Sequence, residues 1–285
     1  MYLLPAIDIL DGRAVRLAKG DYSQVTVYND DPVDQARKFE AQGATWIHVV
    51  DLDGARTGVP ENIAIAERIV RETSLSVEVG GGIRTLETLA RLADIGAARM
   101  VLGTALVNDP DLARAAVERV GGDRLTAGID AKGGEVAVSG WIEGSGVAAC
   151  DLAREMGKAG FKHIVYTDIA RDGMQTGLDV QAYVQMAEAF GHPVIASGGV
   201  ASVSDIERLA PVASSIEGVI TGRAVYEGTL TVEEGVAACA AASLAMGTRN
   251  GLQETYVRPI LWQNSTVDGS PPCSPQMPSL MSGRV

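Results

Sequence analysis

The sequence predicts an α/β fold, a closed (β/α)8 barrel built from two similar half-barrels. Three observations predict it: eight short apolar runs alternate with eight amphipathic stretches, several motifs occur twice in the same order, and glycines and acids follow the apolar runs. Alternating strands and helices are typical of a parallel sheet, and the number eight favours closure into a barrel. A doubly wound open sheet is the structural alternative.

Eight runs rich in β-branched or aliphatic residues have the length of buried strands. They are, in chain order, Leu3–Ile7, Trp46–Val50, Leu75–Val79, Arg99–Leu102, Leu125–Ile129, His163–Tyr166, Val194–Ala196 and Gly218–Ile220. After each of them, apolar residues recur at helical spacing. The predicted helices are Pro32–Ala41, Asn62–Arg71, Leu86–Ile95, Pro110–Val120, Val147–Ala159, Val180–Phe190, Ser204–Leu209 and Val232–Ala242.

The predicted barrel occupies residues 1–245, and residues 246–285 are predicted to form a disordered C-terminal tail. This segment shows no helical period, and Pro, Ser and Gly crowd its last third, which is typical of chain that cannot bury a core. Inside the barrel, Ala18–Asp31 and Ala131–Gly146 are long and contain glycines. We predict that these two loops close over a bound ligand.

Motifs of the first half recur in the second half at nearly the same separation. Ala6-Ile7-Asp8 returns as Gly128-Ile129-Asp130, and Gly81-Gly82-Ile83-Arg84-Thr85 returns as Gly198-Gly199-Val200-Ala201-Ser202. Gly103-Thr104-Ala105-Leu106 returns as Gly222-Arg223-Ala224-Val225. Each half therefore supplies four strand–helix units, and two halves close one barrel.

Composition narrows the possible partners. The chain has 285 residues, 46% of them hydrophobic and 21% charged, and its net charge is −12. A strongly acidic chain lacks the basic face that nucleic acid requires, so a bound phosphate must be held by nearby backbone N–H groups and a few basic side chains. The first residues predict no signal peptide, and no apolar run reaches membrane-spanning length. We therefore expect a cytoplasmic monomer without a nucleic-acid or membrane partner.

Cysteine and histidine usage predicts neither a disulfide framework nor a metal site. The three cysteines, Cys150, Cys239 and Cys273, are widely spaced and form no CxxC pair. His48 and His163 fall at the starts or middles of predicted strands, where a core role is the more common one. The sequence shows no His, Cys and carboxylate cluster with metal-ligand spacing.

Glycine clusters follow predicted strands three, four, seven and eight. Such turns need glycine for steric reasons alone, but they also let backbone N–H groups converge on a phosphate. The turns after strands seven and eight are the usual phosphate site of these barrels. The turns after strands three and four lie half-way round the barrel from them. Two sites on opposite rims predict an elongated ligand phosphorylated at both ends. The candidate phosphate-binding residues are Gly81, Gly82, Arg84, Gly103, Thr104, Ser197, Gly198, Gly199, Gly222 and Arg223.

Two aspartates are the candidate catalytic acids. Asp8 ends strand one and Asp130 ends strand five, opposite each other across the predicted mouth. A single Asp after a strand commonly caps a turn. Two of them at the half-barrel repeat, each preceded by Ile, favour a proton-transfer pair, one donating and one accepting.

Residues after predicted strands five and six are candidate site residues because of their position at the carboxyl ends of these strands. Thr167, Asp172 and Gly173 follow strand six, where an ordinary solvated loop would also be polar. Trp141 lies on the loop after strand five. There it could stack on a planar ring or simply cover the barrel.

These motifs together resemble one family. AIDILDGRAVRL, HVVDLDGA, VGGGIR, LGTAL, GIDAK, SGW, YTDIARDG, ASGGV and TGRAVYEG are similar, in order, to motifs of the histidine-biosynthetic ProFAR isomerases, from residue 2 to about 243. The resemblance implies a cofactor-free Amadori rearrangement of a bisphosphorylated aminoaldose to the aminoketose. It implies that Asp8 is the general base and Asp130 the general acid, with a raised pKa in the liganded site. It also implies that Thr167 and Asp172 orient the acid and the substrate.

Related families leave alternatives open. Phosphoribosylanthranilate isomerases typically carry Cys where Asp8 stands, and the cyclases of the same pathway typically begin strand one with Cys-Leu-Asp. The dual-substrate isomerases usually carry Ser-Gly-Gly after strand three and Arg two residues before the loop Trp. Here Gly80 and Ser139 occupy those positions, which favours a single substrate. A barrel that only binds phosphate would be expected to have lost one of the two aspartates or one of the glycine turns. This chain keeps both aspartates and all of these turns.

Overall fold

The computed structural model describes residues 1–18, 20–138, 141 and 143–254. Within them the strands are β1 (Tyr2–Leu10), β2 (Arg13–Ala18), β3 (Asp21–Asn29), β4 (Trp46–Asp51), β5 (Ser76–Gly80), β6 (Arg99–Leu102), β7 (Leu125–Lys132), β8 (Glu135–Val138), β9 (Glu143–Ala148), β10 (His163–Asp168), β11 (Val194–Ser197) and β12 (Ile216–Thr221). The helices are α1 (Pro32–Ala41), α2 (Leu52–Thr57), α3 (Ile63–Glu72), α4 (Leu86–Asp94), α5 (Thr104–Asn108), α6 (Pro110–Val120), α7 (Ala149–Ala159), α8 (Val180–Phe190), α9 (Val203–Glu207), α10 (Arg223–Glu227) and α11 (Val232–Glu254).

Eight parallel strands close into a barrel, as the sequence predicts. Their order is β1, β4, β5, β6, β7, β10, β11 and β12, and β12 pairs with β1 again. Neighbouring strands are parallel throughout this ring. The open doubly wound sheet is therefore excluded, because an open sheet would leave two unpaired edges.

The two predicted loops contain antiparallel hairpins instead of irregular chain. β2 pairs with β1 and β3, and β8 pairs with β7 and β9. The turns that begin these hairpins carry a sequence signal. Asp11-Gly12, which joins β1 to β2 ahead of the first predicted loop, and Gly133-Gly134, which joins β7 to β8, all have positive φ, as type I′ hairpin turns require. These dipeptides between apolar runs predict hairpins, and the loop interpretation overlooked them.

The longer helices other than α11, which was predicted to end at Ala242, begin and end within a few residues of their predicted bounds. α1, α6 and α8 coincide with the prediction, and Asp31, Asp109 and Asp179 cap their first turns by accepting backbone N–H bonds. The short helices α2, α5 and α10 were not predicted, because each is only five or six residues long and too short to show a period. α11 continues beyond residue 245 to Glu254, and residues 255–285 of the predicted tail lie outside the described part of the chain.

Alternation along β1 divides the core into two layers. Leu3, Ile7 and Ile9 face the surrounding helices in the large outer core, whereas Leu4 and Ala6 face the barrel interior. Because strand side chains alternate with period two, Asp8 follows Ala6 on the inner face. The register of β1 therefore places a carboxylate at the barrel mouth.

A polar cluster fills the opposite end of the barrel, where the strands begin. Tyr2 Oη donates to Glu217 Oε1 at 2.6 Å, and Arg99 reaches the same carboxylate at 2.7 Å. His163 Nδ1 lies 2.9 Å from Glu217 Oε2, and the Arg99 guanidinium lies 4.3 Å from the centroid of the Trp46 ring. This base cluster closes the barrel from below, on the face where residues serve stability rather than catalysis. In the described ranges, no helix has the length and hydropathy to cross a membrane.

Candidate active site

A cavity of about 280 Å³ opens at the carboxyl ends of the barrel strands. Residues from all eight strands and from both hairpins line it. Every site residue predicted from the sequence lies on its wall: Asp8, Gly81, Gly82, Arg84, Gly103, Thr104, Asp130, Trp141, Thr167, Asp172, Gly173, Ser197, Gly198, Gly199, Gly222 and Arg223. These residues, which the sequence could place only in order along the chain, thus form one concave surface.

The two candidate acids stand on opposite walls, because β1 and β7 are four strands apart in the ring. Asp8 lies beside Arg16 of β2, whose Nη1 is 2.9 Å from Asp8 Oδ2. Both side chains are about one-seventh exposed, at 14%. The ion pair commits one oxygen of the Asp8 carboxylate to Arg16.

Arg16 also interacts with Asp172, the aspartate from the loop after β10. Burial alone would lower the pKa of Arg16, but the carboxylates of Asp8 and Asp172 outweigh it and raise this pKa. Burial raises the pKa of Asp172; Arg16 opposes this rise, while the negative charges of Asp8 and Asp130 add to it. Three carboxyl groups and one guanidinium therefore share the centre of the cavity.

Asp130 is held by the hairpin that follows its strand. Trp141 Nε1 donates a hydrogen bond of 2.8 Å to Asp130 Oδ2. Trp141 itself has a φ of 73°, a conformation that costs a non-glycine residue about 1–2 kcal/mol. Its indole packs against Gly20 of the other hairpin, since a side-chain carbon on Gly20 would lie 3.0 Å from Trp141 Cε3. The β2–β3 and β7–β9 hairpins thus meet above the cavity through this ring.

The two glycine turns have the same backbone shape in each half-barrel. Gly81 and Gly198 have φ values of +102° and +90°. A side-chain carbon on Gly81 would overlap the carbonyl of Asp51, and one on Gly198 would lie 2.6 Å from the carbonyl oxygen of Asp168. Both turns thus require glycine, and both line the cavity.

The neighbouring turns repeat in the same way. Gly103 precedes α5 with φ −115° and ψ −105°, and Gly222 precedes α10 with φ −112° and ψ −94°. β5 and β6 face β11 and β12 across the ring. Two glycine-lined recesses therefore lie at opposite ends of one cavity.

Arginine side chains lie beside both recesses. Arg84 packs against Gly58 at the end of α2, because a side-chain carbon on Gly58 would overlap its guanidinium. Arg223 pairs with Glu227 and donates at 2.9 Å to the carbonyl of Gly173, the residue after Asp172. These cations supply positive charge to the recesses of a chain whose net charge is −12.

Comparison with known proteins agrees with this geometry. The sequence model of a family described as "Histidine biosynthesis protein" matches residues 2–231. The chain belongs to the histidine biosynthesis protein family. Relatives from Xanthobacter autotrophicus and Mesorhizobium japonicum are each 50% identical, over 82% and 83% of this chain and 96% of their own length. A relative from Sinorhizobium fredii is 49% identical over 86% of this chain and all of its own. Each bears the name 1-(5-phosphoribosyl)-5-((5-phosphoribosylamino)methylideneamino)imidazole-4-carboxamide isomerase.

This member of the histidine biosynthesis protein family has cavity residues that the sequence interpretation missed. Arg16 lies in the motif AIDILDGRAVRL but has no predicted role, although the Asp11-Gly12 hairpin turn folds β2 back beside Asp8. His48 was assigned to the core, yet it lines the cavity. Its signal is register, since His48 pairs with Ala6, which faces the barrel interior. Among the described residues, no group of His, Cys, Asp and Glu is placed to hold a metal ion.

Proposed function

We propose that the chain is the isomerase that converts ProFAR, a bisphosphorylated aminoaldose, into the corresponding aminoketose in histidine biosynthesis. One observation carries the proposal: two glycine-lined recesses lie at opposite ends of a cavity whose centre holds the carboxyl groups of Asp8, Asp130 and Asp172. Such a cavity suits a ligand with a phosphate at each end and a sugar between them. The names of the relatives from three bacteria give the same reaction class.

The chemistry needs one proton donor and one proton acceptor. An acid protonates the ring oxygen of the aminoaldose ribose, which opens the ring and leaves an iminium ion. A base then removes the proton from C2, and the resulting enamine tautomerises to the ketose. Protons move within one molecule and no electrons leave it, so the proposal includes no cofactor.

We assign the base to Asp8 and consider two carboxyl groups for the acid. Asp130 matches the acid of the resembling family and accepts a hydrogen bond from Trp141. Asp172 has the property that a donor needs, because burial raises its pKa and a carboxylic acid with a raised pKa is a better donor near neutral pH. Thr167, which is 6% exposed and one residue from Asp168 at the end of β10, is proposed to orient the acid.

The remaining site residues bind the substrate. Backbone N–H groups of Gly81, Gly82, Gly103 and Thr104 are proposed to hold one phosphate, with Arg84 beside them. The second phosphate is proposed to lie against Ser197, Gly198, Gly199, Gly222 and Arg223. Trp141 supplies a flat apolar surface for the imidazole ring, and Gly173 keeps the Asp172 loop close to Arg223.

Partners and location follow from the same proposal. The partner is a small bisphosphorylated metabolite, and the net charge of −12 disfavours nucleic acid. We propose that the chain acts as a monomer in the cytoplasm.

The test is turnover of ProFAR and of phosphoribosylanthranilate by the purified chain. A side-chain carbon on Gly80 would lie 3.2 Å from Val101 Cβ, so the serine of the dual-substrate pattern would crowd the wall here. We expect turnover of ProFAR alone. Turnover of both substrates would identify a dual-substrate isomerase, and binding without turnover of either would indicate a barrel that only holds phosphate.

A further inference from the structure

His48 lies on the floor of the cavity, one layer below the candidate base. In the register of β1 and β4, Ala6 pairs with His48, and Asp8 pairs with Val50. Because side chains alternate along a strand, His48 and Val50 face the same interior as Ala6 and Asp8. All four residues line the cavity. His48 is therefore beneath the point where a ligand that spans both recesses must cross the barrel axis.

A buried carboxylate fixes the orientation of the His48 ring. Glu78 of β5 is fully buried, with 0% exposure, and its Oε1 lies 2.8 Å from His48 Nδ1. Its other oxygen accepts from Thr126 Oγ1 at 2.7 Å and lies 4.0 Å from Arg99 Nη1. A carboxylate can only accept at these atoms, so His48 Nδ1 is the donor. In the neutral ring, Nε2 is then an acceptor.

The acceptor atom is open to the cavity. Among the described residues, Thr221 Oγ1 is the buried side-chain polar atom without a hydrogen-bond partner. His48 Nε2 also forms no hydrogen bond within the described chain. Because it is not a buried atom without a partner, it must be accessible. Since His48 lines the cavity, the accessible face is the floor itself. Ala6, which pairs with His48, and Val50, which follows on the same face of β4, are apolar and offer no competing donor.

We propose that His48 Nε2 accepts a hydrogen bond from a ribose hydroxyl of the substrate, and that Glu78 is a positioning residue that holds His48 in the accepting tautomer. The inference rests on the proposed function for the identity of the sugar. Ribose hydroxyl groups are among the donors that an aminoaldose presents between its two phosphates. An acceptor atom at the floor of the cavity can select them by their ability to donate.

The base cluster provides a matched comparison. His163 is bound through Nδ1 to Glu217 at 2.9 Å, as His48 is to Glu78, and both rings are partly exposed. His163 does not line the cavity. The two histidines therefore share a carboxylate partner and differ in contact with the ligand.

The kinetic test compares His48→Asn, His48→Gln and His163→Asn. Asn keeps an amide donor near the position of Nδ1 and lacks Nε2, whereas Gln places a polar group near Nε2. We expect His48→Asn to lower kcat/KM for ProFAR about tenfold or more, the effect of one hydrogen bond, and His48→Gln to recover part of the loss. His163→Asn should leave kcat/KM unchanged. Equal losses in His48→Asn and His163→Asn would overturn the proposal.

Nitrogen-15 NMR provides a readout that does not depend on turnover, and the chain has only three histidines to assign. We expect His48 to carry its proton on Nδ1 in the wild type and to shift towards the Nε2–H tautomer in Glu78→Gln, whose amide can donate to Nδ1. ProFAR added to Asp8→Asn should shift the His48 Nε2 signal and leave His163 unchanged.

The outcomes separate this proposal from the proposed function. An Nε2–H tautomer of His48 in the wild type would overturn the positioning role of Glu78, whatever the substrate is. An Nδ1–H tautomer in a protein that does not turn over ProFAR would mean that the proposed function is wrong and the ring orientation is right. A His48 signal that ProFAR leaves unmoved, in an otherwise active enzyme, would overturn the hydrogen bond to the substrate.

Discussion

Arg16 lies 2.9 Å from Asp8 and at the same time packs against Gly222, where a side-chain carbon would overlap its guanidinium. The residue therefore connects the candidate base with the glycine turn proposed to bind one phosphate. It also faces Asp172, where its charge opposes the rise in pKa that burial causes. A single cation on the first hairpin thus links the phosphate recess to two of the three central carboxyl groups.

We expect Arg16→Met to lower kcat/KM by at least ~10²-fold, because it removes a charged hydrogen-bond partner from a partly buried carboxylate. Without Arg16, burial and the charges of Asp8 and Asp130 act on Asp172 unopposed, so its pKa rises further. If Asp172 donates the proton, it stays protonated to higher pH, and the basic limb of the kcat/KM profile shifts upwards.

The matched control is Arg13→Met, which changes an exposed arginine of the same strand and should leave the profile unchanged. A basic limb that stays in place in Arg16→Met would assign the proton donor to a group other than Asp172.

The ionisation of Asp172 should lower the free energy of unfolding at neutral pH. Its raised pKa means that the folded chain binds this proton more tightly than the unfolded chain does. Below the ordinary pKa of 3.8 the group is protonated in both states, and as the pH rises its ionisation penalises only the folded state. We expect Asp172→Asn to raise the melting temperature at pH 7 by about 2–4 °C, which corresponds to ~1 kcal/mol in a chain of this size.

The gain should disappear as the pH falls towards 3.8, and thermal unfolding followed by circular dichroism at several pH values measures it. A lower melting temperature of Asp172→Asn at pH 7 would show that its pairing with Arg16 outweighs burial.

A side chain added to either glycine turn should destabilise the fold and raise KM for the substrate. Gly81→Ala and Gly198→Ala each combine a positive φ with a collision against a backbone carbonyl, and we expect a loss of at least ~2 kcal/mol of unfolding free energy in urea. The turn must also move, so KM for ProFAR should rise.

Gly191→Ala is the control. Its φ is +84°, but nothing lies within 4 Å of the added carbon, so it should lose about 1 kcal/mol and keep its KM. Equal KM values in all three variants would contradict phosphate binding at these turns.

Glu217 of the base cluster should stabilise the barrel without affecting turnover. Burial alone would raise its pKa, but the hydrogen bond from His163 and the charge of Arg99 lower it. Its contribution is therefore present above its ordinary pKa of 4.5 and is lost as the pH falls through the lowered value. We expect Glu217→Gln to lose about 2–3 kcal/mol at pH 7, because it leaves Arg99 without a charged partner at 2.7 Å.

Urea unfolding at pH 7 and below pH 4.5 measures this difference, which should shrink in acid. A difference that stays constant with pH would mean that packing, and not charge, is what the substitution removes.

The barrel could be predicted because its signals are local and repeated. Strand and helix periods lie in short stretches such as Pro32–Ala41, and the half-barrel repeat in the sequence predicts that Asp8 lies opposite Asp130. The repeat extends to backbone angles, since Gly103 and Gly222 agree within about ten degrees.

Contacts between hairpins and barrel could not be predicted from the same signals. The bond from Trp141 to Asp130, the packing of Trp141 on Gly20 and the pairing of Arg16 with Asp8 depend on how far each hairpin folds back over the mouth. His48 was missed for another reason, because a histidine in a strand looks the same whether its neighbours are core or cavity. Only the register with Ala6 decides this.

The most direct measurement is the turnover of ProFAR by the wild type and by Asp8→Asn, with the folded state of both verified by circular dichroism. We expect the wild type to form the aminoketose, and we expect Asp8→Asn, which keeps the shape of the side chain and cannot accept the proton, to lose at least ~10²-fold in kcat. An Asp8→Asn variant that is folded and turns over ProFAR at the wild-type rate would contradict this expectation.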